Sequence, residues 1–377
     1  MKGDDSKLSD EIIVGEYMPG DEEKIIGLLQ EVYGDWPRVD LECTALERWT
    51  WKYPENQHGK YIVKVAKHSH RVVGVSQQYG VRVKVGGEMV DWGYTGDMAV
   101  HPDYRRRGIS NRLIEHDVKL RLEKDTPSRY FVTRNPYLIK SYSERFHEFP
   151  FSVTVLIHVK DIDKQLQAIP VDNPSLMKMG YTVVKQLQDI KNVIRGSRVD
   201  PEVKVVKVER FGDQIDVFWD KVRDDYDFII ERKRGYLDWR YCDRRAGDFD
   251  VKLALDGSEV IGYCVNRVNR YRREYPIGFV VDLLTLKGRE DAADALLSNA
   301  MKYFEDNEVN TVLAACTKRH PLWTRFQRQG FIDTRIDFKM YYKSPEKQYE
   351  CLRDPKLRAH FMFGDIDSLP VEVSIKT

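Results

Sequence analysis

The sequence has little that marks a chain for export, for a membrane or for a polyanion. Of 377 residues, 61 are Lys or Arg and 60 are Asp or Glu, a net charge of +1. No global field draws such a chain to nucleic acid or to an anionic bilayer, and neither is expected as a partner. The longest apolar-looking run, Phe149 to Val159, is interrupted by His158 and is far shorter than the roughly 20 residues that span a bilayer as a helix. Met1 to Glu11 are polar and mixed in charge, which is no secretory signal. The five cysteines, Cys43, Cys242, Cys264, Cys316 and Cys351, are scattered and include no C-x-x-C pair. That argues against a disulfide framework or a metal site and fits thiols in a reducing, cytoplasmic setting. The G-x-G-x-x-G and G-x-x-x-x-G-K-[ST] phosphate loops are also missing. What is present is a 42% hydrophobic, 11% aromatic composition, enough to build substantial cores in about two to three domains.

An internal repeat organises the chain. Thr50-Trp51-Lys52-Tyr53 matches Asp238-Trp239-Arg240-Tyr241 at a spacing of 188 residues, and the same spacing carries Gly59 onto Gly247, Tyr61 onto Phe249 and Val72-Val73-Gly74 onto Val260-Ile261-Gly262. Farther on, Gly96-Asp97-Met98 faces Val281-Asp282-Leu283 at 185, and Arg145-Phe146 faces Arg325-Phe326 at 180. The drift means short deletions between elements. The recurring Trp and Tyr pairs read as packing residues.

Periodicity gives both copies one pattern. In the first, a strand at Ile12–Tyr17 precedes a helix capped near Asp21 and a helix near Leu41–Lys52. Strands follow at Tyr61–Lys67, Arg71–Val83 and Glu88–Val100, then a helix to about Lys124, a strand Arg129–Thr133, a helix Tyr137–Glu148 and a closing strand Phe151–Val159. The second repeats this from Val203 to Tyr341. The domains are expected at 1–160 and 203–377, joined over 161–202 by a connector with a helix at Leu176–Arg195. Near the C-terminus, His360 to Phe363 reads as a last strand before Gly364-Asp365-Ile366-Asp367, a turn or a cation loop.

Chemistry concentrates where the third long strand of the first copy meets its helix: Met98-Ala99-Val100-His101-Pro102-Asp103-Tyr104-Arg105-Arg106-Arg107-Gly108-Ile109-Ser110. Three arginines and a glycine at a helix entry set unpaired backbone N–H groups and cations at the positive end of the helix dipole, an anion site by construction. The loop and the strand pattern around it resemble those of the GCN5-related N-acetyltransferases (GNAT), in which a strand ends in a Val-x-Pro-like turn followed by Arg/Gln-x-x-Gly-x-Gly/Ala at a helix start. Ser110 stands where Gly or Ala is usual, and Asn135-Pro136 fits the family's next strand.

The resemblance implies an α/β fold of two tandem GNAT-like mixed-sheet domains and acetyl-CoA as co-substrate. Its pyrophosphate would lie on the amides of Arg105, Arg106, Arg107, Gly108, Ile109 and Ser110, its pantetheine along Met98, Ala99 and Val100, with Asn135 nearby. The acceptor is then an amine. In the second copy Leu286-Lys287-Gly288-Arg289-Glu290-Asp291-Ala292 occupies the place of the loop. Carboxylates there repel a pyrophosphate, so the second copy is expected to complete the fold or shape the substrate site.

Transfer to an amine needs a proton acceptor for the ammonium and, where used, a donor for the leaving thiolate. The family's Tyr position falls on Phe146, a departure. Tyr142, one helical turn earlier, is the candidate acid. Asp97 and Asp91 are the candidate bases, although the counterpart of Asp97 in the second copy, Asp282, favours a shared structural role over that of a base. His101, Glu88 and the His68/His70 turn read as solvated groups. Arg267, Arg270, Arg272 and Arg273 form a basic hairpin, and Asp224, Asp225 and Asp227 a charged helix end. A non-catalytic acyl-CoA sensor and a transferase using a longer acyl-CoA or an aminoacyl-tRNA remain open beside N-acetyl transfer.

Overall fold

The computed structural model describes residues 11–123, 128–168, 181–182, 203–344 and 347–366. In the first unit β1 (Ile12–Glu16) leads into α1 (Glu22–Tyr33) and α2 (Ala45–Lys52), followed by β2 (Ile62–His68), β3 (Arg71–Val85) and β4 (Glu88–Val100). Then come α3 (Ile109–Glu123), β5 (Arg129–Thr133), α4 (Pro136–Tyr142), β6 (His147–Val159) and α5 (Ile162–Ala168). The second unit runs β7 (Lys204–Val208), α6 (Gln214–Val222), β8 (Phe228–Ile230), α7 (Arg234–Tyr241), β9 (Asp250–Asp256), β10 (Glu259–Asn269) and β11 (Ile277–Thr285). It ends with α8 (Glu290–Asp306), β12 (Thr311–Cys316), α9 (Leu322–Arg328) and β13 (Ile332–Lys343).

Local chemistry sets the boundaries. Helix α1 buries Ile25, Ile26, Leu28 and Leu29 at helical spacing and stops at Gly34, which takes the left-handed φ of 76°. Helix α2 starts later than periodicity alone predicts, because Thr44 and Glu47 form a capping box: Thr44 Oγ1 accepts from the Glu47 amide at 3.1 Å and Glu47 accepts from the Thr44 amide at 2.8 Å.

All the strands form one sheet in the order β1-β2-β3-β4-β5-β13-β6-β12-β11-β10-β9-β7, with β8 paired to β3. The order is nearly palindromic, and its centre holds an exchange. Strand β6 pairs with β12 (Thr154 opposite Cys316), and β13 pairs with β5 (Thr133 opposite Lys339). The closing strand of each unit therefore lies beside the other unit's fifth strand. Sequence order favours pairing within a unit, so this crossing was not anticipated. At the seam Trp51 stacks on Trp239, its counterpart in the repeat, with ring centres 4.7 Å apart and planes 19° apart. Contact between equivalent residues is what an approximate two-fold produces. One buried cluster runs through both units, from Trp49, Trp92 and Tyr130 to Phe228, Tyr241 and Phe361.

Three expectations change. Helix α4 ends at Tyr142, not Glu148, and the chain turns into β6 at His147. Residues 360–363 form no strand: Phe361, Met362 and Phe363 are buried as a plug, joined to β8 only by a single bridge from Ala359 to Phe228. Strand β8 is itself unforeseen. The expected helix at 176–195 falls almost wholly outside the described residues.

Candidate active site

Strands β4 and β5 are parallel but pair only at Gly93 with Arg129 and Tyr94 with Tyr130. Beyond Tyr94, β4 keeps β3 on one side and parts from β5 on the other. A bulge accompanies the split: Val75 pairs with Ala99 and Gln77 with Gly96, leaving Asp97 and Met98 opposite one residue, with Asp97 at φ 45°. Bulges bend a strand and re-aim its side chains.

The bulge turns Asp97 into a nest of donors. It accepts hydrogen bonds from Lys52 Nζ at 2.5 Å, Trp36 Nε1 at 3.0 Å and Tyr53 OH at 3.0 Å. Burial pushes its carboxyl up, but the Lys52 ammonium and these hydrogen bonds outweigh it, so the group sits below the usual carboxylate range and is ionised. A carboxylate so stabilised is a weak proton acceptor. Asp91 lies elsewhere, on the surface beside Arg82 Nε at 3.5 Å.

Tyr142 faces the same space. Its hydroxyl donates to Met98 Sδ at 3.3 Å, while Met98 O accepts from Tyr33 OH at 2.7 Å. Burial raises the Tyr142 pKa, with Arg129 and a hydrogen bond with Ser110 pulling partly back. Phe146 packs against it at a ring separation of 5.2 Å. Asp97, Met98 and Tyr142 line a cavity of about 590 Å³ that also touches Tyr33, Trp36, Lys52 and Arg129. Its far wall comes from the second unit, through Arg240, Phe249, Arg267 and Val281. Sequence reasoning missed that wall. One signal for it existed: Lys52 and Arg240 hold the same position in the repeated Trp-cation-Tyr motif.

The loop after β4 is pinned at its base and open at its tip. His101 is buried, not solvated, with Nε2 2.6 Å from Glu31 Oε1 and Nδ1 accepting from the Asp103 amide at 3.2 Å. Arg105, Arg106 and Arg107 are exposed. Arg107 lies over the Tyr104 ring at 5.0 Å, and Arg106 and Gly108 take left-handed φ values of 64° and 71°. Ile109 is buried against Ala66, Val73 and Leu113, fixing the start of α3 to the sheet, and the first turn of α3 has no acid. Ala99 is buried and Val100 packs on the same cluster. Asn135 caps α4, accepting from the Tyr137 amide at 3.0 Å.

The sequence model of the acetyltransferase (GNAT) domain matches residues 15–131, the stretch that carries this cleft and loop. Among solved structures, a probable N-acyltransferase of Enterococcus faecalis superposes with a TM-score of 0.60 at 13% identity, over 90% of this chain and 74% of that one. N-myristoyltransferase of Saccharomyces cerevisiae with bound myristoyl-CoA superposes at 0.58 and 12%, over 97% and 89%. A GNAT from Anabaena variabilis gives 0.56 and 13%, over 88% and 72%. No curated protein sequence matches the chain.

Residues 15–131 are similar to the GNAT domain, and the chain as a whole shares the fold of these structures.

Its second GNAT-like unit keeps the framework and alters the chemistry. Strands β11 and β12 also pair only at their start, from Ile277 with Thr311 to Phe279 with Leu313, and β11 bulges beside Asp282. Asp282 accepts from Tyr241 OH at 3.1 Å, as Asp97 does from Tyr53, and also from Arg232 and Tyr263 at 3.0 and 2.8 Å. The loop into α8 is shorter, and Glu290 and Asp291 occupy the first helical turn. A second cavity of about 480 Å³ lies there, lined by residues 285–290, Tyr226, His320 and 356–359. The C-terminal segment enters this cleft, and Asp365 binds Arg232 at 2.6 Å, so the cation beside the Gly-Asp turn is a side chain. Arg267 leaves its basic hairpin to line the first cavity, whereas Asp224 and Asp227 pair with Lys84 and Arg358. Among the described residues no His, Cys, Asp and Glu group gathers for a metal, and no helix is long and apolar enough to cross a membrane.

Proposed function

We propose that the protein is a GNAT-type acyltransferase that moves an acetyl group from acetyl-CoA to an amine by direct attack in the first unit. The observation that carries this reading is the opened β4 edge: it runs from the bulge at Asp97, past Tyr142, to a cation-rich loop whose glycine enters an acid-free helix start. These groups fit a pyrophosphate at one end and a thioester arm along the edge. Acetyl-CoA, when bound, supplies the thioester carbonyl. The amides of Arg106 to Ser110 and the neighbouring arginines would hold its phosphates, and the free side of β4 its pantetheine.

On this reading Tyr142, kept protonated by burial, donates to the departing thiolate. Asp97 is better suited to holding Lys52, Trp36 and Tyr53 in place than to taking the ammonium proton, because its ionised form is strongly stabilised. That proton then leaves through solvent.

Titration by calorimetry tests the reading. Acetyl-CoA binds the wild-type protein, and Gly108→Trp, which puts a bulky side chain at a φ of 71° in the phosphate loop, weakens binding at least about 100-fold, two factors of ten at 1.4 kcal/mol each. Absence of acyl-CoA binding to wild type sinks it. A longer acyl donor is the second reading, favoured by the apolar walls Ile114, Phe131, Leu138 and Phe146 and by the likeness to a structure that holds myristoyl-CoA. Competition between acetyl-CoA and longer acyl-CoAs separates the two. Binding without turnover across amines would leave the sensor reading, which Phe146 at the family's Tyr position favours.

A further inference from the structure

Part of the wall of the first cavity is the stretch between α1 and α2, which lines it from Asp35 to Val39. Residues 34–44 are neither helix nor strand, and among the described residues the stretch 35–43 makes no backbone-to-backbone hydrogen bond. A segment without a ladder of its own takes its shape from the side chains that hold it. Here the holding groups come from β10 of the second unit and the turn that follows it. Arg267 Nη2 donates to Asp40 O at 2.6 Å and to Asp40 Oδ1 at 3.0 Å, and the Arg270 amide donates to Asp40 Oδ2 at 2.8 Å. Asn269 Oδ1 accepts from the Tyr271 amide at 3.1 Å and from the Asp40 amide at 3.4 Å. Tyr271 OH donates to Asp35 Oδ2 at 2.9 Å. The line of contacts continues inward: Asp35 Oδ1 accepts from the Trp36 amide at 2.8 Å, and the Trp36 indole donates to Asp97 Oδ1 at 3.0 Å. Three hydrogen bonds thus lead from a phenol of the second unit to the β4 bulge, where the opened strand edge begins.

Resting on the acetyl-transfer reading, we propose that Tyr271 is a positioning residue for the acceptor amine: through Asp35 it holds residues 35–39 as a fixed wall of the cavity and so sets how tightly the amine is seated at the β4 edge. Tyr271 does not itself line the cavity, so it acts through that wall. A wall held firmly keeps a bound amine in its attacking position, whereas a shift of about 1 Å is enough to lose it. The loop at 105–110, where the donor's phosphates would lie, shares none of these hydrogen bonds. The second unit therefore takes a part in acceptor binding, across 236 positions of sequence, that leaves donor binding alone.

The test uses the full-length protein and a panel of amines: amino acids, amino sugars and a polyamine. Calorimetry without donor gives the binding of each amine, and thiol release from acetyl-CoA gives KM and kcat. Tyr271→Phe removes one hydroxyl at a position 36% exposed, a change that leaves the urea midpoint where it is. It is expected to weaken binding of the best-bound amine, and to raise its KM, about 3- to 10-fold, the worth of one net hydrogen bond, with the KM for acetyl-CoA unchanged. Asp35→Ala loses at least as much, and adding Tyr271→Phe to it costs nothing further, because the bond is already gone. Asp35→Asn keeps wild-type binding, since its side-chain amide accepts from Trp36 and donates to Tyr271. The proposal is overturned by unchanged amine binding in Tyr271→Phe, by an equal rise of both KM values, or by a wild-type protein that binds no amine. It is overturned too if Asp35→Asn loses as much as Asp35→Ala, the result expected of a carboxylate that meets the amine directly. Acetyl-CoA titrated in parallel shows separately whether the donor reading has failed, since the amine titrations need no donor.

Discussion

At the scale of single residues, environment assigns roles that residue type leaves open. Tyr142 and Asp97 both face the cleft, yet burial keeps the phenol protonated while Lys52 and two further donors keep the carboxyl ionised. Tyr142→Phe is expected to lower kcat by about 10- to 100-fold, the lower range for a positioned acid, with KM for acetyl-CoA little changed. Because burial raises the Tyr142 pKa above the ordinary 10, no alkaline limb from loss of this proton should curtail kcat between pH 7 and 9. A steady-state pH profile of both proteins checks this, and an unchanged kcat in the variant removes Tyr142 from the chemistry. The loop from Arg105 to Ser110 was legible at this scale as a cation-rich helix entry because arginines, glycine and helix start are neighbours in the chain. Its anchor was not: His101 is buried through Glu31, 70 positions earlier, and no local pattern reports such a partner.

At the scale of elements, the C-terminal segment acts as a strut. His320 and His360 contact each other at 3.0 Å, His360 reaches Asp282 at 3.1 Å, and Asp365 holds Arg232. Asp365→Ala leaves the fully buried Arg232 short of a partner and should cost about 3–5 kcal/mol, read as a lower midpoint in urea. The same strut sets a pH dependence. Burial and the neighbouring His360 hold the His320 pKa well below its ordinary 6.5. The unfolded chain therefore binds a proton that the folded one excludes, and stability falls as pH drops through about 6.5. Asp282, held low against burial by Arg232 and His360, adds a further loss below about pH 4, where the unfolded carboxylate is protonated first. Urea midpoints from pH 8 to pH 3 test both steps, and a flat profile from 7 to 5 contradicts the first. From sequence, the run at 360–363 reads as a last strand because hydrophobicity fixes burial without fixing what covers it.

At the scale of the molecule, the exchange of closing strands makes the two units one sheet. A chain ending at residue 168 contains β6 but neither β12 nor β13, its two neighbours. It is expected to stay unfolded or aggregate through open edges, and co-expression with residues 203–377 should restore a soluble complex. Size-exclusion chromatography and circular dichroism report this, and a monomeric, folded first half would contradict it. The cleft depends on the same joining, since Arg240 and Arg267 reach the first unit's cavity from beyond the connector.

The sequence by itself determined what short-range chemistry encodes: the alternation and helical spacing of the strands and helices, the doubled Trp and Tyr pattern, and the loop from Arg105 to Ser110. Tertiary structure alone decided which strand closes which unit, where Lys52 and the arginines of the second unit meet, and that Asp97 is a clamped anion. Those outcomes depend on contacts between residues separated by tens to hundreds of positions, where burial, charge pairing and strand edges are settled only once the chain has closed on itself.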